Sequence, residues 1–317
     1  MTISKATNSP LFVVIGSTKG QGRSIIRELE VSSKPYRVRA ITRNAAKPEA
    51  KELQELGCEV VEIDVSTVDA AKKAFEGADI AFVMTSTDFS QENFIEKEYA
   101  LAKLRIDGAK AGGAKTIVLS NLPHVSKLSG GKHTVDIFDC KAEAVAYART
   151  LEELRIIDVQ PGSFFTNYFT TVLPRKMEDG SFIMVMGLHG DTKMPVVDID
   201  ADYGKYVVSA VEDPSVETVY AAPAYVTATQ IVEGFAKATG KKVKFVSVSD
   251  DELAARVAQS RGERAAKSMV AMYKSFRDYG YYFGADLTAS NKILPRPART
   301  FDEMISANAN AVASLFA

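Results

Sequence analysis

The segment LFVVIGSTKGQG, residues 11–22, decides how the rest of the chain is interpreted. Its first five residues, Leu11–Ile15, are all apolar, which is typical of a strand buried on both faces of a parallel sheet. Three glycines follow at positions 16, 20 and 22, and the next segment, SIIRELEV, has apolar residues at helical spacing. The segment therefore predicts a buried strand, a glycine-rich turn and a helix in direct succession.

Strands and helices alternate with short links from this segment to about residue 120. A further helix, VDIFDCKAEAVAYARTLE, and a sixth strand, LRIIDVQPG, follow. This alternation predicts an α/β fold, a Rossmann doubly wound parallel sheet with right-handed crossovers. After Pro161 the rhythm breaks. We therefore predict a nucleotide-binding domain over residues 1–163, to which residues 196–213 return, and a smaller C-terminal α/β lobe over residues 164–317 for a substrate or partner.

Composition excludes several classes of protein. The 317 residues carry 39 basic and 40 acidic side chains, so no global charge attracts nucleic acid or an anionic membrane. The two cysteines, Cys58 and Cys140, do not form a disulfide scaffold, and no Cys/His cluster predicts a metal site. Apolar runs are far shorter than the roughly 20 residues that span a bilayer. We expect a cytoplasmic protein, or a nuclear one if its role is regulatory.

The glycine-rich turn is the first candidate site. Glycines at this place allow backbone N–H groups to approach a pyrophosphate, and the start of the helix adds a favourable dipole. The first strand–helix turn of a βαβ chain is the usual position of such a site. The residues predicted to contact a dinucleotide here are Gly16, Ser17, Thr18, Gly20, Gln21 and Gly22.

The end of the second strand indicates which dinucleotide is bound. Sites for NAD place an acidic residue there, whereas this chain has Arg43, with Lys47 one helical turn later. An Arg fork suits the 2′-phosphate of NADP(H), so NADP(H) is the predicted cofactor. The ends of the third and fourth strands reach the same edge of the sheet. Their predicted cofactor contacts are Asp64, Val65, Thr85 and Ser86.

The catalytic residues are less regular. Short-chain dehydrogenases use a Ser at a strand end, and a Tyr and a Lys four residues apart on the next helix. Here Ser120 ends the fifth strand and Lys141 lies on the next helix, but Ile137 stands where the Tyr is expected. A literal Tyr99-xxx-Lys103 occurs on the helix before Ser120, which is the wrong order for this fold.

Three histidines are alternatives for the missing proton donor, because imidazole titrates near neutral pH. His133, and also His124, lie between Ser120 and the helix of Lys141, and His189 in the second lobe has a weaker claim. A plain surface role for each histidine stays open. Cys140 is either a redox-sensitive thiol or a small buried residue.

Four segments of the chain resemble the NmrA-like family of atypical short-chain dehydrogenases. They are GSTKGQG, the strand-end TRN, SNLPHVSKLSGGKHTVDIFDCKAE and DVQPGSFFTNYF. The resemblance implies cofactor contacts from Gly16, Thr18, Gln21, Arg43, Lys47, Asp64, Thr85, Ser86, Lys141, Phe164, Phe165 and Asn167. One departure is Lys19, where the family usually has a glycine, and Gly20 restores the spacing of ordinary short-chain dehydrogenases.

The resemblance implies two functions of different class, since the family includes oxidoreductases, a transcriptional corepressor and an NADPH sensor. The first is an NADPH-dependent reductase of a small, partly apolar carbonyl, enone or imine, in which Lys141, Ser120 and His133 are the catalytic candidates. The alternative is a non-catalytic NADP(H) redox sensor that binds a protein partner, in which Lys141 anchors the cofactor. No direct contact with nucleic acid or a membrane is expected, and a homodimer is compatible with either function.

Overall fold

The computed structural model describes residues 3–317. Its first half alternates strands and helices as the hydrophobic pattern predicts. The strands are β1 (Leu11–Ile15), β2 (Arg37–Thr42), β3 (Glu59–Glu62), β4 (Ile80–Val83), β5 (Thr116–Ser120) and β6 (Arg155–Pro161). The helices are α1 (Gly20–Val31), α2 (Pro48–Glu55), α3 (Val68–Phe75), α4 (Phe94–Ala111), α5 (Val125–Leu128) and α6 (Asp136–Ala148).

The second half has shorter strands and more helices. Its strands are β7 (Ser163–Phe164), β8 (Arg175–Lys176), β9 (Phe182–Met186), β10 (Lys193–Val197), β11 (Thr218–Ala221), β12 (Tyr225–Thr227) and β13 (Val243–Ser247). Its helices are a 3₁₀ helix (Phe165–Phe169), α7 (Tyr203–Glu212), α8 (Ala228–Thr239), α9 (Asp250–Arg261), α10 (Glu263–Tyr279), α11 (Thr288–Lys292), α12 (Phe301–Ala307) and α13 (Ala309–Leu315).

One seven-stranded sheet organises the molecule. Its order is β11-β6-β5-β4-β1-β2-β3, and each neighbouring pair is parallel. The chain builds outward from β1 to β3 and then returns to place β4 on the other side of β1. The predicted doubly wound α/β sheet is confirmed, and its switch point lies between β1 and β4, where ligands of such sheets usually bind.

Apolar clusters cover both faces of this sheet, which is why β1 has five buried residues in succession. On one face Phe12 and Val14 pack with Tyr203 of α7. On the other face, Val13 packs among residues of α3, α4 and α6, including Phe75. Burial on both sides explains the uninterrupted apolar runs from which the strands were predicted.

Two parts of the later chain contribute to this first sheet. Helix α7 packs closely on α1, where a Cβ at Gly204 would lie 2.1 Å from the carbonyl oxygen of Ser24. Strand β11 pairs with β6 and forms one edge of the sheet, although its sequence, TVYA, lies beyond residue 213. Residues 214–317 therefore do not all lie outside the first sheet.

The smaller lobe is built on two three-stranded sheets, β12-β10-β7 and β13-β9-β8. Helices α8, α12 and α13 pack together around an aromatic core. The capping boxes of two of these helices, at Thr227 and Thr300, have both reciprocal hydrogen bonds. None of the helices within residues 3–317 is both long and apolar enough to cross a bilayer.

Candidate dinucleotide site

The glycine-rich turn lies at the carboxyl end of β1 and leads directly into α1. Gly16 and Gly20 have positive φ angles of 67° and 56°, which glycine adopts with the least strain. A Cβ at Gly22 would lie 2.4 Å from the carbonyl oxygen of Gly16, so only a hydrogen atom fits there. The hydroxyl of Ser17 donates a 2.8 Å hydrogen bond to the carbonyl oxygen of Ile41. The turn over residues 16–22 is therefore a tight backbone loop held against β2, and we call it the backbone cradle.

The start of α1 has no side-chain cap, but one of its N–H groups is already bound to a carboxylate. Lys19 precedes the helix without a capping side chain, and half-buried Thr18 lies next to it. The N–H of Gly20 donates a 3.1 Å hydrogen bond to a carboxylate oxygen of Asp200. Gln21 is buried, and its side-chain oxygen has no hydrogen-bond partner within residues 3–317. A bound molecule that supplies a donor to Gln21 would satisfy this oxygen.

Two positive charges are exposed at the carboxyl end of β2. The side chains of Arg43 and Lys47 both face solvent, and neither side chain forms a hydrogen bond or ion pair in the part of the chain that the structure describes. Asp64, which follows β3, is exposed as well, whereas Val65 is buried. The side chains of Arg43, Lys47 and Asp64 are thus available to a ligand, but Val65 has only its backbone to offer.

Arg105 of α4 is a third cation at this edge, and sequence analysis missed it. Its guanidinium donates hydrogen bonds to the carbonyl oxygens of Val65, at 3.1 Å, and Met84, at 2.6 Å. Burial lowers the pKa of Arg105, the charge of Asp64 opposes this fall, and that of Arg43 adds to it. Arg105 therefore joins the ends of β3 and β4 and adds positive charge near Arg43.

Lys141 of α6 belongs to a buried polar group that joins three elements. Its ammonium pairs with Glu98 of α4 and donates a 3.1 Å hydrogen bond to the hydroxyl of Thr85. Glu98 also accepts hydrogen bonds of 2.7 Å from the hydroxyls of Thr85 and Thr87. The structure thus brings Lys141 and Thr85 together, while Ser86 between the two threonines is exposed.

Ser120 ends β5, as the sequence predicts, but no phenol stands four residues before Lys141 on α6. Ile137, at the position of the usual Tyr, is buried in the apolar cluster of the second lobe. One tyrosine, Tyr203 of α7, lies near Ser120, and burial raises its pKa above the ordinary range. Tyr203 is fully buried, so its hydroxyl is not accessible to a substrate.

Two of the candidate histidines are engaged with carboxylates. His124 Nε2 lies 2.6 Å from Glu143 of α6, and its Nδ1 lies 3.1 Å from Asp139. His133 Nε2 lies 2.8 Å from Asp278 of α10, and its ring packs edge-on against Tyr279. His133 therefore links the loop before α6 to the second lobe, and only its Nδ1 is left without a partner within residues 3–317 for a role as a proton donor.

None of the other candidates is hydrogen-bonded to the polar group around Lys141 within residues 3–317. Lys103 of the literal Tyr-xxx-Lys pair stacks on the ring of Tyr147, 3.7 Å from its centroid. His189 is exposed in the second lobe. Cys140 is buried, and burial raises the pKa of its thiol to about 12, so it is a thiol and not a reactive thiolate at neutral pH.

Side chains of the segment after β6 pack in both lobes. Phe164 is half-buried against the core of the first sheet, and Asn167 is half-buried in the 3₁₀ helix. Phe165 is different, because it is 1% exposed and packs against Phe235 and Phe301 in the aromatic core. The side chain of Phe165 is therefore a core residue, and a contact from Phe165 to a cofactor would come from its backbone.

A second buried polar group was not visible in the sequence. Asn121, Asp158 and Gln160 lie on neighbouring strands, and the amide nitrogen of Gln160 donates a 2.8 Å hydrogen bond to Asp158. One side-chain oxygen of each residue has no partner within residues 3–317. Burial raises the pKa of Asp158 to about 6, so its carboxyl titrates near neutral pH.

Residues 8–310 match the sequence model of the NmrA-like family. The chain belongs to the NmrA-like family. One NmrA-like relative, the oxidoreductase himF of Aspergillus japonicus, is 30% identical over 254 residues, which are 75% of this chain and 76% of himF. The resemblance stated from the four sequence segments is therefore confirmed.

Solved structures show the same fold at lower identity. NmrA, a negative transcriptional regulator, in complex with NADP has a TM-score of 0.74 and 19% identity, over 96% of this chain and 98% of NmrA. NmrA has also been solved with NAD. An NADPH-dependent quinone oxidoreductase from Escherichia coli, complexed with NADPH, has a TM-score of 0.69 and 22% identity, over 94% of this chain and 99% of that one.

Proposed function

We propose that this NmrA-like protein binds NADP(H) at the glycine-rich turn and is a reductase. The observation that carries the proposal is the backbone cradle at Gly16 and Gly22, beside a β2 end that offers free Arg43 instead of a carboxylate. The NADP and NADPH complexes of the two solved relatives support it, as does the description of himF as an oxidoreductase.

The preference for NADP(H) over NAD(H) follows from charge. A planar guanidinium donates two parallel hydrogen bonds to a phosphate. The same guanidinium stabilises a bound ribose hydroxyl much less. Arg43 and Lys47 have no competing partner within residues 3–317, so they would bind the 2′-phosphate without first breaking an ion pair. Arg105 contributes a further positive charge close by.

The bound nicotinamide would supply the hydride, and this chain would bind, orient and shield the reactants. Ser120 is a polar side chain from which a substrate or ribose hydroxyl would accept a hydrogen bond, and Lys141 would do the same by exchanging one of its contacts with Thr85. Half-buried apolar side chains follow the ends of β4, β5 and β6, among them Phe89, Leu122 and Phe169. They favour a small, partly apolar carbonyl, enone or imine as substrate.

One alternative has its own support. Ile137 leaves the position four residues before Lys141 without a phenol, and Lys141 is already paired with Glu98. Both features suit a protein that binds NADP(H) without turnover and passes its redox state to a protein partner. NmrA, a negative transcriptional regulator, has the same fold. In this alternative Lys141 anchors the cofactor and does no chemistry.

A screen of NADPH oxidation separates the two functions. Small ketones, aldehydes, enones and cyclic imines are each incubated with the protein, and loss of NADPH is followed by absorbance. A reductase turns over at least one class, and Lys141→Ala slows it by roughly 10²–10⁴-fold. Tyr99→Phe is the control and should match the wild type. Binding of NADPH without turnover of any class would favour the sensor, and absence of binding would refute both functions.

A further inference from the structure

We propose that Glu98 is a positioning residue of the cofactor site, which fixes the ammonium of Lys141 and the turn from Thr85 to Thr87 after β4. This inference rests on the proposed function, because it assigns to Glu98 a role in NADP(H) binding. The side chain of Glu98 is 3% exposed, so it acts through the residues that it holds.

Burial makes the charge of Glu98 costly unless every lone pair is used. Its side chain is 3% exposed, and both carboxylate oxygens have partners. One oxygen accepts from Lys141 and from the hydroxyl of Thr85, and the other accepts from the hydroxyl of Thr87. Three of the roughly four acceptor sites of Glu98 are therefore in use, and its contacts are structural connections between α4, the end of β4 and α6.

The same contacts determine where Lys141 points. An ammonium has three N–H donors. Those of Lys141 face Glu98, the hydroxyl of Thr85 at 3.1 Å and the carbonyl oxygen of Thr85 at 3.4 Å. A flexible four-carbon side chain would otherwise sample many rotamers. The carboxylate thus holds the ammonium against the end of β4, at the edge where the dinucleotide is proposed to lie.

This polar group is physically continuous with the glycine-rich turn. Strand β4 lies beside β1, and a Cβ at Gly16 would lie 3.2 Å from the sulfur of Met84, the residue before Thr85. Arg105 also donates to the carbonyl oxygen of Met84. Movement of the Thr85–Thr87 turn would therefore shift the backbone that flanks the cradle. Loss of the buried charge of Glu98 on α4 should therefore weaken cofactor binding.

The first test compares two isosteric changes on the same helix. Glu98→Gln removes the buried charge, and Glu96→Gln makes the same chemical change at an exposed position two residues earlier. A hydrogen bond to a charged group is worth enough to change affinity by roughly 10-fold or more. Calorimetric titration should show NADPH binding weakened about 10-fold by Glu98→Gln and unchanged by Glu96→Gln, with partial recovery in Glu98→Asp.

The second test combines substitutions of Glu98 and Lys141. Because Glu98 acts through Lys141, the double variant Glu98→Gln, Lys141→Met should bind NADPH no more weakly than Lys141→Met alone. The double variant should also melt at a higher temperature than Lys141→Met, which leaves the carboxylate buried without its counter-charge. Thr87→Val provides a milder variant, which removes one donor to Glu98 and keeps its charge.

The outcomes distinguish the two proposals. A folded Glu98→Gln variant with wild-type NADPH affinity and a lowered melting temperature would show a purely structural residue and overturn this inference. Losses of affinity that add in the double variant would overturn it as well. A wild-type protein that does not bind NADPH would instead overturn the proposed function on which the inference rests.

Discussion

Arg43 and Lys47 are the only exposed cations at the carboxyl end of β2 within residues 3–317, and no carboxylate takes their place. At the residue scale, the preference for NADP(H) over NAD(H) depends on which cofactor atoms these two side chains contact. A 2′-phosphate offers Arg43 two oxygens in the plane of its guanidinium, which a 2′-hydroxyl does not. The contribution of Arg43 should therefore appear with one cofactor and not with the other.

Arg43→Ala should weaken NADPH binding about 10- to 150-fold, the equivalent of losing roughly 1.5–3 kcal/mol from a charge-assisted contact. NADH binding should stay nearly unchanged. Calorimetry of both cofactors gives the comparison, and Lys51→Ala, which removes an exposed charge one turn beyond Lys47, is the control. Equal losses for both cofactors would mean that Arg43 does not contact the 2′-phosphate.

Asp158 is a residue whose ionisation bears on stability. Burial raises its pKa from 3.8 to about 6, while hydrogen bonds from Gln160 and Asn121 oppose the rise. The folded state therefore holds a proton on Asp158 over a range in which the unfolded chain has lost it. Its contribution to stability is complete below about pH 4 and is lost as the pH rises through 6.

Asp158→Asn replaces the carboxyl with an amide of nearly the same shape that is uncharged at every pH. The substitution should therefore stabilise the fold only where the wild-type carboxyl is ionised. We expect the free energy of unfolding at pH 8 to rise by up to about 3 kcal/mol, and no gain at pH 4. Denaturant unfolding at both pH values measures this, with exposed Asp191→Asn as the control. An equal effect at the two pH values would refute the raised pKa.

At the scale of elements, the link between β1 and α1 is fixed by close backbone contacts. Gly22 touches the backbone of Gly16 and Ser17 at the beginning of α1. Gly204 of α7 touches the backbone of Ser24 further along the same helix, and its N–H donates a 2.9 Å hydrogen bond to the hydroxyl of Ser24. Close backbone contacts therefore hold helix α1 at both glycines. Substitution of Gly22 should affect cofactor binding, whereas substitution of Gly204 should affect stability.

Gly22→Val should abolish NADPH binding while the protein still folds. The nearest atoms to a new Cβ belong to the turn, so the turn must open and the cradle is lost. Calorimetry gives the affinity and circular dichroism the fold. Retained binding in a folded Gly22→Val variant would place the cofactor site elsewhere.

Gly204→Ala should instead lower stability, because its Cβ would lie 2.1 Å from the carbonyl oxygen of Ser24, in the packed layer between α7 and α1. Forcing an extra carbon into a packed core commonly costs about 1–3 kcal/mol. Thermal or urea unfolding measures the loss, and an unchanged midpoint would show that α7 shifts without cost.

The sequence predicted most of this layer because buried parallel strands have local signatures. The runs LFVVI and TIVLS are apolar on both faces, and glycines follow β1. Strand β11 was assigned to the smaller lobe because its pairing with β6 is a contact between distant segments that no local pattern reveals. The aromatic contacts of Phe165 could not be predicted for the same reason, since its partners Phe235 and Phe301 are far away in sequence.

Glu98 illustrates what sequence reasoning missed in the site. It lies four residues before Ala102 and eight before Ile106, so it belongs to the buried face of α4. A carboxylate on an otherwise apolar stripe is the signal that would have identified it. The identity of its partner, Lys141, could not follow, because 43 residues separate the two side chains in sequence.

At the scale of the whole molecule, the candidate site lies on the first sheet, and the second lobe contacts its surroundings through an apolar cluster that includes Ile137 and Phe138 and through polar contacts. His133 pairs with Asp278 of α10, and Tyr282 donates a 2.8 Å hydrogen bond to the carbonyl oxygen of Gln160 on β6. Because the cofactor would bind the folded chain and not the unfolded one, binding should stabilise the entire molecule.

NADPH at about 100 times its Kd should therefore raise the free energy of unfolding by about 2.7 kcal/mol. The shift in melting temperature should be larger for NADPH than for NADH at equal concentration, and absent in Gly22→Val. Differential scanning fluorimetry across a concentration series measures it. Stabilisation of Gly22→Val to the same extent as the wild type would contradict binding at the cradle.

The central claim is that the cradle after β1 binds NADP(H) and that the β2 end selects it over NAD(H). Calorimetric titration of the wild-type protein with NADPH and with NADH, in the same buffer, tests this most directly. We expect one site per chain and NADPH binding about 10-fold tighter or more, since the two cofactors differ only at the 2′-phosphate. Equal affinities, tighter binding of NADH, or no binding of either cofactor would contradict the claim.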